Sequence, residues 1–299
     1  MKDRTKALTF ILTSTLSFSF MGAFVKALGD FPVAEKVFFR NTISMIIAFM
    51  VLSFSYKYSV QRKKGYLRLI FGKMENQKFL LIRSVFGLLG VAFHFYALSK
   101  LYLADSQMLN RTSPIFVSLF AFLFLKEKLS KLQMSTIFIA LIGAVMVIKP
   151  KFDYSMLPAL GAFGAAIMAG AAYTFVRFLR DKEKPETIIF YFSLFSMVGS
   201  LPFMIPTFIY PNSEQWMMLL GVGLTASIGQ IGLTHAYRYA KASEVSIYTY
   251  TGIIFSALIG YFLWDEISDI TSIIGGLIII LSAVTVFYHN NRKDRINPV

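Results

Sequence analysis

Two arginines stand where a charge is costly. Arg40 and Arg111 both fall inside long apolar runs of the chain. At 1.5 Å of rise per helical residue, each would lie roughly 10 Å below a surface of a hydrocarbon core about 30 Å thick. A guanidinium facing lipid at that depth costs several kcal/mol, so it is expected to turn toward a water-filled interior. Its planar fork of donors binds carboxylate or phosphate through paired hydrogen bonds. The chemistry on offer is capture of an anion, with Glu35 the internal carboxylate that would neutralise Arg40 instead.

Other polar residues recur at helical spacing, which places them on one face of their segments. The stripes are Thr15, Ser19, Gly22 and Lys26; Lys36, Arg40 and Ser44; Arg83, Gly87, Gly90 and His94; Gln107, Arg111, Pro114 and Ser118; Ala166, Gly170, Tyr173 and Arg177; and Ser227, Gln230, Thr234 and Arg238. Tyr248 and Tyr250 offer rings and hydroxyls to a zwitterionic or aromatic solute. The candidate substrate-binding residues are therefore Arg40, Arg111, His94, Ser19, Gln107, Tyr173, Gln230 and Tyr250. The small residues on these stripes are equally explained by close helix packing. Lys26, Arg83, Arg177 and Arg238 lie within about two turns of a segment end, where anchoring at lipid headgroups accounts for them. Trp216 and Trp264 read the same way.

Other chemistries lack their parts. No Asp or Glu lies deep in an apolar segment: Asp30, Glu35, Asp105 and Glu244 are all near ends. That disfavours antiport of cations, which relies on a membrane-buried carboxylate. His94 and His235 are the side chains available for proton coupling near neutral pH. Cysteine is absent, so neither a thiolate metal site nor a cysteine nucleophile exists. The chain has no GxxxxGK[ST] stretch for driving transport with ATP, and no paired acid and base for catalysis. Neither enzyme activity nor a cofactor or metal is expected.

The segments that hold these residues declare their solvent. Of 299 residues, 56% are hydrophobic and 15% charged, with mean hydropathy +0.61; a soluble protein carries roughly 25% charge. Ten segments suit a membrane: Ala7–Leu28, Val33–Phe54, Phe79–Lys100, Leu103–Leu125, Met134–Ile148, Met156–Leu179, Thr187–Ile209, Gln215–Tyr239, Ser243–Trp264 and Ile270–Tyr288. The first is too long for a signal-peptide core and ends without a cleavage site. The net charge of +14 sits in short runs between segments. This pattern argues for contact with anionic headgroups rather than nucleic acid. Lys2, Arg4 and Lys6, the basic loop 56–78, Lys126/Lys128/Lys131, Arg180/Lys182/Lys184, Arg238/Lys241 and Arg292/Lys293/Arg295 alternate with loops poor in Lys and Arg. Both termini are thereby assigned to the cytoplasmic side of a bacterial cytoplasmic membrane.

The chain also repeats itself. Residues 104–127 and 243–266 align without a gap at an offset of about 139 residues. Asp105 falls on Glu244, Thr112 on Thr251, Ile115 and Phe116 on Ile254 and Phe255, Leu119 on Leu258, and Glu127 on Glu266. Gly90 matches Gly229 and Ala97 matches Ala236. At the front of each half the offset becomes about 151, pairing Phe24–Lys26 with Phe175–Arg177 and Glu35 with Glu186. The expected domains are residues 1–152 and 153–299, each of five helices. Since five is odd, the second unit crosses the membrane inverted, an arrangement that places a site between the halves and permits alternating access.

The segment 110–130, with its weaker copy at 248–268, resembles the fourth and ninth helices of EamA-type carriers of the drug/metabolite transporter superfamily. The likeness covers nearly the whole chain, and a proline followed by an apolar run and a terminal acid is its most specific part. Ile253 stands where the first copy has Pro114. The resemblance implies an all-α bundle of ten helices, with a cavity lined by helices one to four and six to nine. It also implies efflux or exchange of small metabolites, often amino acids or their relatives. The expected partners are a small-molecule substrate and the bilayer, with a homodimer as a further candidate. A passive channel or lipid flippase is the alternative function.

Overall fold

The structure, a computed structural model, describes residues 2–57, 66–126, 130–150, 156–179, 181–239 and 246–296. Lys63, Glu127, Lys128, Lys151, Arg180, Lys241, Ser243 and Glu244 lie outside them, as do the side chains of Thr234 and Arg238. The regular elements of the described residues are all helices, with no strand among them. Lipid offers no partner to a backbone amide, so each segment satisfies its own hydrogen bonds as a helix. The helices are α1 (Lys2–Ala27), α2 (Val33–Lys57), α3 (Tyr66–Phe71), α4 (Gln77–Leu98), α5 (Leu103–Asn110), α6 (Ser113–Leu125), α7 (Lys131–Ile148), α8 (Leu157–Leu179), α9 (Pro185–Met204), α10 (Ser213–Tyr239), α11 (Thr251–Trp264) and α12 (Ile270–Ile296). Among the described residues, eight are long and apolar enough to cross a membrane, and Tyr248–Trp264 forms a shorter apolar helix. With α5 and α6 together these make ten crossings of an all-α membrane protein.

The expected crossing over Leu103–Leu125 is not one continuous helix. It stops at Asn110 and restarts at Ser113. Pro114, in the first turn of α6, has no N–H to give the preceding turn. Thr112 turns its hydroxyl onto the Leu109 carbonyl at 2.7 Å. The ninth segment changes conformation at the equivalent place without a proline. A 3₁₀ turn over Ser246–Tyr250 leads into α11, and the Thr251 hydroxyl donates to the Tyr248 carbonyl at 2.6 Å. Each threonine offers its backbone a bond that competes with the regular helix. The far ends agree too: Lys126 and Asp265, the residues closing α6 and α11, are both left-handed, with φ of 56° and 53°.

The helices pair in a fixed pattern. α1 packs along α10, α4 along α8, α2 along α9, and α7 along α12; α5 meets α11, α6 meets α8, and α1 meets α11. Exchanging the first five crossings for the last five, in order, turns each pairing into another of the set or into itself. The α7–α12 crossing is close: a Cβ on Gly143 would sit 2.7 Å from the Gly275 carbonyl oxygen, and one on Gly275 would sit 2.6 Å from that of Gly143.

Candidate functional site

The breaks in the fourth and ninth crossings meet at mid-bundle. Tyr250 Oη donates to the Arg111 carbonyl at 3.3 Å, a contact between residues 139 apart, which is the repeat offset itself. The Arg111 guanidinium lies over the backbone of Gly252, where an added Cβ would come 2.6 Å from Nη2. Ser19 of α1 closes the junction from a third side. Its hydroxyl reaches the Gly252 carbonyl at 3.2 Å and that of Thr15 at 3.1 Å, and accepts from Ser256 Oγ at 3.1 Å. Thr15 and Thr251 touch through their hydroxyls at 3.2 Å. Gln107 is buried beside α1 at Gly22.

His94, on α4, is buried on the same side, 3.5 Å from the Asn110 side chain. Its Nδ1 has no hydrogen-bond partner. Arg111 and Arg40 both lie in electrostatic range of this ring. Arg40 is 7% exposed. Its Nη1 donates to Asn41 Oδ1 at 2.7 Å, while Nε has no partner. Glu35 does not neutralise it: Glu35 Oε1 accepts from the Ile209 amide at 2.8 Å instead. Tyr173 lies in range of Arg40 and is 42% exposed.

Gln230 is the candidate set apart. It lines a pocket between α2, α9 and α10 with Ser44, Ser227, His235 and Glu186. Thus Ser19 and Tyr250 meet the junction of Arg111 and Gly252, whereas Gln230 lines the pocket between α2, α9 and α10.

Two of the basic residues read as lipid anchors are instead held inside the protein. Arg83 is 6% exposed and lies over the Phe192 ring, 3.8 Å from its centroid. Lys26 pairs with Glu266 at 2.5 Å and donates to the Leu101 carbonyl at 2.5 Å. Distance from a segment end, measured in residues, did not reveal either partner, because both partners are remote in sequence. The Thr15–Thr251 contact and Ser256 also escaped sequence reasoning, although Thr15 stood on a predicted stripe.

The Lys26–Glu266 pair belongs to a network at one end of the bundle. Glu266 Oε2 accepts from the Leu103 amide at 2.9 Å, and Asp105 accepts from Ser268 at 2.6 Å and Ser272 at 3.4 Å. Lys149 pairs with Asp269, and Lys100 with Asp30. Lys100 holds the exposed Asp30 carboxyl below its usual range, Lys149 does the same to Asp269, and the Lys100 ammonium is raised in turn by Asp30. Lys36, fully buried, caps the Gly29 and Val25 carbonyls at 2.7 and 3.2 Å. Among the described residues no group of acids and histidines is arranged to hold a metal.

Comparison with known proteins gives the site a context. A sequence model of the EamA-like transporter family matches residues 5–149 and 156–288. The pseudopaline exporter CntI of Pseudomonas aeruginosa is 31% identical over 277 residues, covering 91% of this chain and 93% of the exporter. A riboflavin transporter of Vibrio cholerae is 25% identical over 217 residues, 72% of this chain and 73% of its own. A solved crystal structure superposes with a TM-score of 0.66 over 97% of this chain and 99% of that one, at 16% identity; it speaks for the fold alone.

Proposed function

The chain belongs to the EamA-like transporter family, and from that premise we propose that it is a secondary carrier exporting or exchanging small carboxylate-bearing metabolites by alternating access. That it is a multi-pass membrane transporter rather than an enzyme follows from the family and its relatives. The finer reading has one principal support: the junction where two interrupted helices meet at Arg111, with His94 in its electrostatic range. Interrupted crossings are where carriers place solute sites, because the backbone there leaves its own ladder. Arginine selects a carboxylate by geometry as well as charge. Ser19, Gln107, Tyr173 and Tyr250 supply the neutral contacts, and Gln230 lines a route adjoining the site.

Residues 1–152 and 153–299 act in this proposal as two inverted units, rocking against each other around the junction. The exchange symmetry of the helix pairings and the two ranges matched by the family model support the division. The network around Lys26 and Glu266 is the closed gate of one state, on the side the charge count assigns outside. Export is favoured as the direction because the Pseudomonas relative is an exporter.

The test is counterflow in proteoliposomes with labelled amino acids and organic acids. A carrier saturates and accelerates uptake when unlabelled solute is loaded inside. Flux without counterflow indicates a channel, and the absence of saturable movement of any acid overturns the proposal.

A further inference from the structure

The junction around Arg111 leaves a second pair of cations unused. Arg83 and Arg40 reach the same ring, Phe192 of α9, their guanidinium carbons 3.8 and 5.4 Å from its centroid. Both side chains are more than nine-tenths buried, yet Arg83 Nε and Nη1 and Arg40 Nε have no hydrogen-bond partner. Neither arginine makes an ion pair among the described residues. A ring face offsets part of the cost of burying a guanidinium. It leaves the in-plane N–H donors unmet, and buried donors in native proteins are almost always met.

Tyr173 lies in range of both arginines. It is 42% exposed although the residues beside it on α8, Ala172 and Thr174, are buried. The α8 helix packs on α4, α5 and α6. The Arg83 side chain runs toward His94: an added Cβ on Gly87 would come 2.7 Å from its Nη1. From Gly87 to His94 is about 10 Å along the helix.

We propose that Arg83 and Arg40, gathered over Phe192 with Tyr173 in electrostatic range, form a second anion-binding station, so that the transported solute carries two anionic groups, one held here and the other at Arg111. The inference rests on the carrier reading and narrows its substrate class from carboxylates to dianions. A monoanion occupies one station and leaves the other's donors unmet; a dianion of fitting length meets both.

The probe is a series of straight-chain dicarboxylates, from glutarate to azelate, with the matched monocarboxylates. Binding to the purified full chain is measured by calorimetry, and exchange by proteoliposome counterflow. The wild type is expected to bind an intermediate or long dicarboxylate at least tenfold more tightly than its monocarboxylate. Arg83→Gln is expected to abolish that preference while leaving monocarboxylate binding within about twofold, a split that a folding defect would not produce. Arg83→Lys, which keeps the charge, is expected to restore part of it. The second station is overturned if dicarboxylates bind no better than monocarboxylates, or if Arg83→Gln weakens both alike. Monocarboxylate counterflow without a dicarboxylate preference sinks this inference and spares the carrier. An Arg83-dependent preference in binding without any counterflow spares the station and sinks the carrier.

Discussion

Arg111 is placed by small neighbours. Gly252 gives its guanidinium a backbone to lie against, and Tyr250 engages its carbonyl rather than its charge. Arg111→Ala and Arg40→Ala are each expected to lower transport of anionic or zwitterionic solutes by tenfold or more, with membrane insertion intact. The magnitude follows from losing one charge-assisted contact, about 1.5–3 kcal/mol. Normal affinity in both variants, measured by proteoliposome uptake, would remove them from the site. Gly252→Ala is a subtler probe. Its methyl would displace the guanidinium while removing no ionisable group, so half-saturation should rise and expression should not change. If uptake by that variant equals wild type, Arg111 does not work from its observed position.

At the scale of elements, the two interrupted crossings have a cause beyond proline. Thr112 and Thr251 make the same bond to the carbonyl three residues back, and only the first is followed by Pro114. The signal was present in the aligned sequences as a shared threonine. Ile253, standing where the first copy has Pro114, shows that the change of conformation does not need the proline. The α7–α12 pair has a different duty, since it packs backbone to backbone through Gly143 and Gly275. Gly143→Val is therefore expected to destabilise the bundle by about 1–3 kcal/mol through overpacking, seen as a lower unfolding temperature in detergent. The half-saturation constant of the surviving carriers should be unchanged. A shift in that constant with normal stability would mean the pair takes part in the site.

On the scale of the whole molecule, the ion pairs at one end differ in weight. Lys100–Asp30 is exposed, and such pairs add little and are screened by salt. What it adds is present at neutral pH and fades as pH falls through the lowered Asp30 carboxyl pKa. The Lys26–Glu266 pair is more consequential: its side chains are 12% and 9% exposed, and it ties α1 to the loop between α11 and α12. Removing one partner strands the other charge. Glu266→Gln is expected to loosen that end. The chain has no cysteine, so Ser256→Cys supplies a single label site at the buried junction. Its reaction with an impermeant maleimide should accelerate several-fold in the Glu266 variant. An unchanged rate would deny the pair a gating role. Tags on the two termini should be reached from the same face of the membrane; labelling on opposite faces would refute the inverted arrangement.

What the amino-acid order determined is what depends on local composition and period. The ten crossings, the repeat offset and the stripe that placed Arg111, His94 and Ser19 toward an interior are all visible there. Lipid as solvent forces every apolar stretch of sufficient length into a helix and every deep charge inward. Tertiary structure alone decided which inward residues meet. It set Arg83 beside Arg40 over a phenylalanine 109 positions away from the first of them, paired Lys26 with Glu266, and sent Glu35 to a backbone amide. Depth along a helix can be counted from the chain, but rotation about its axis is fixed only when neighbouring helices pack. A guanidinium's partner is a matter of that rotation.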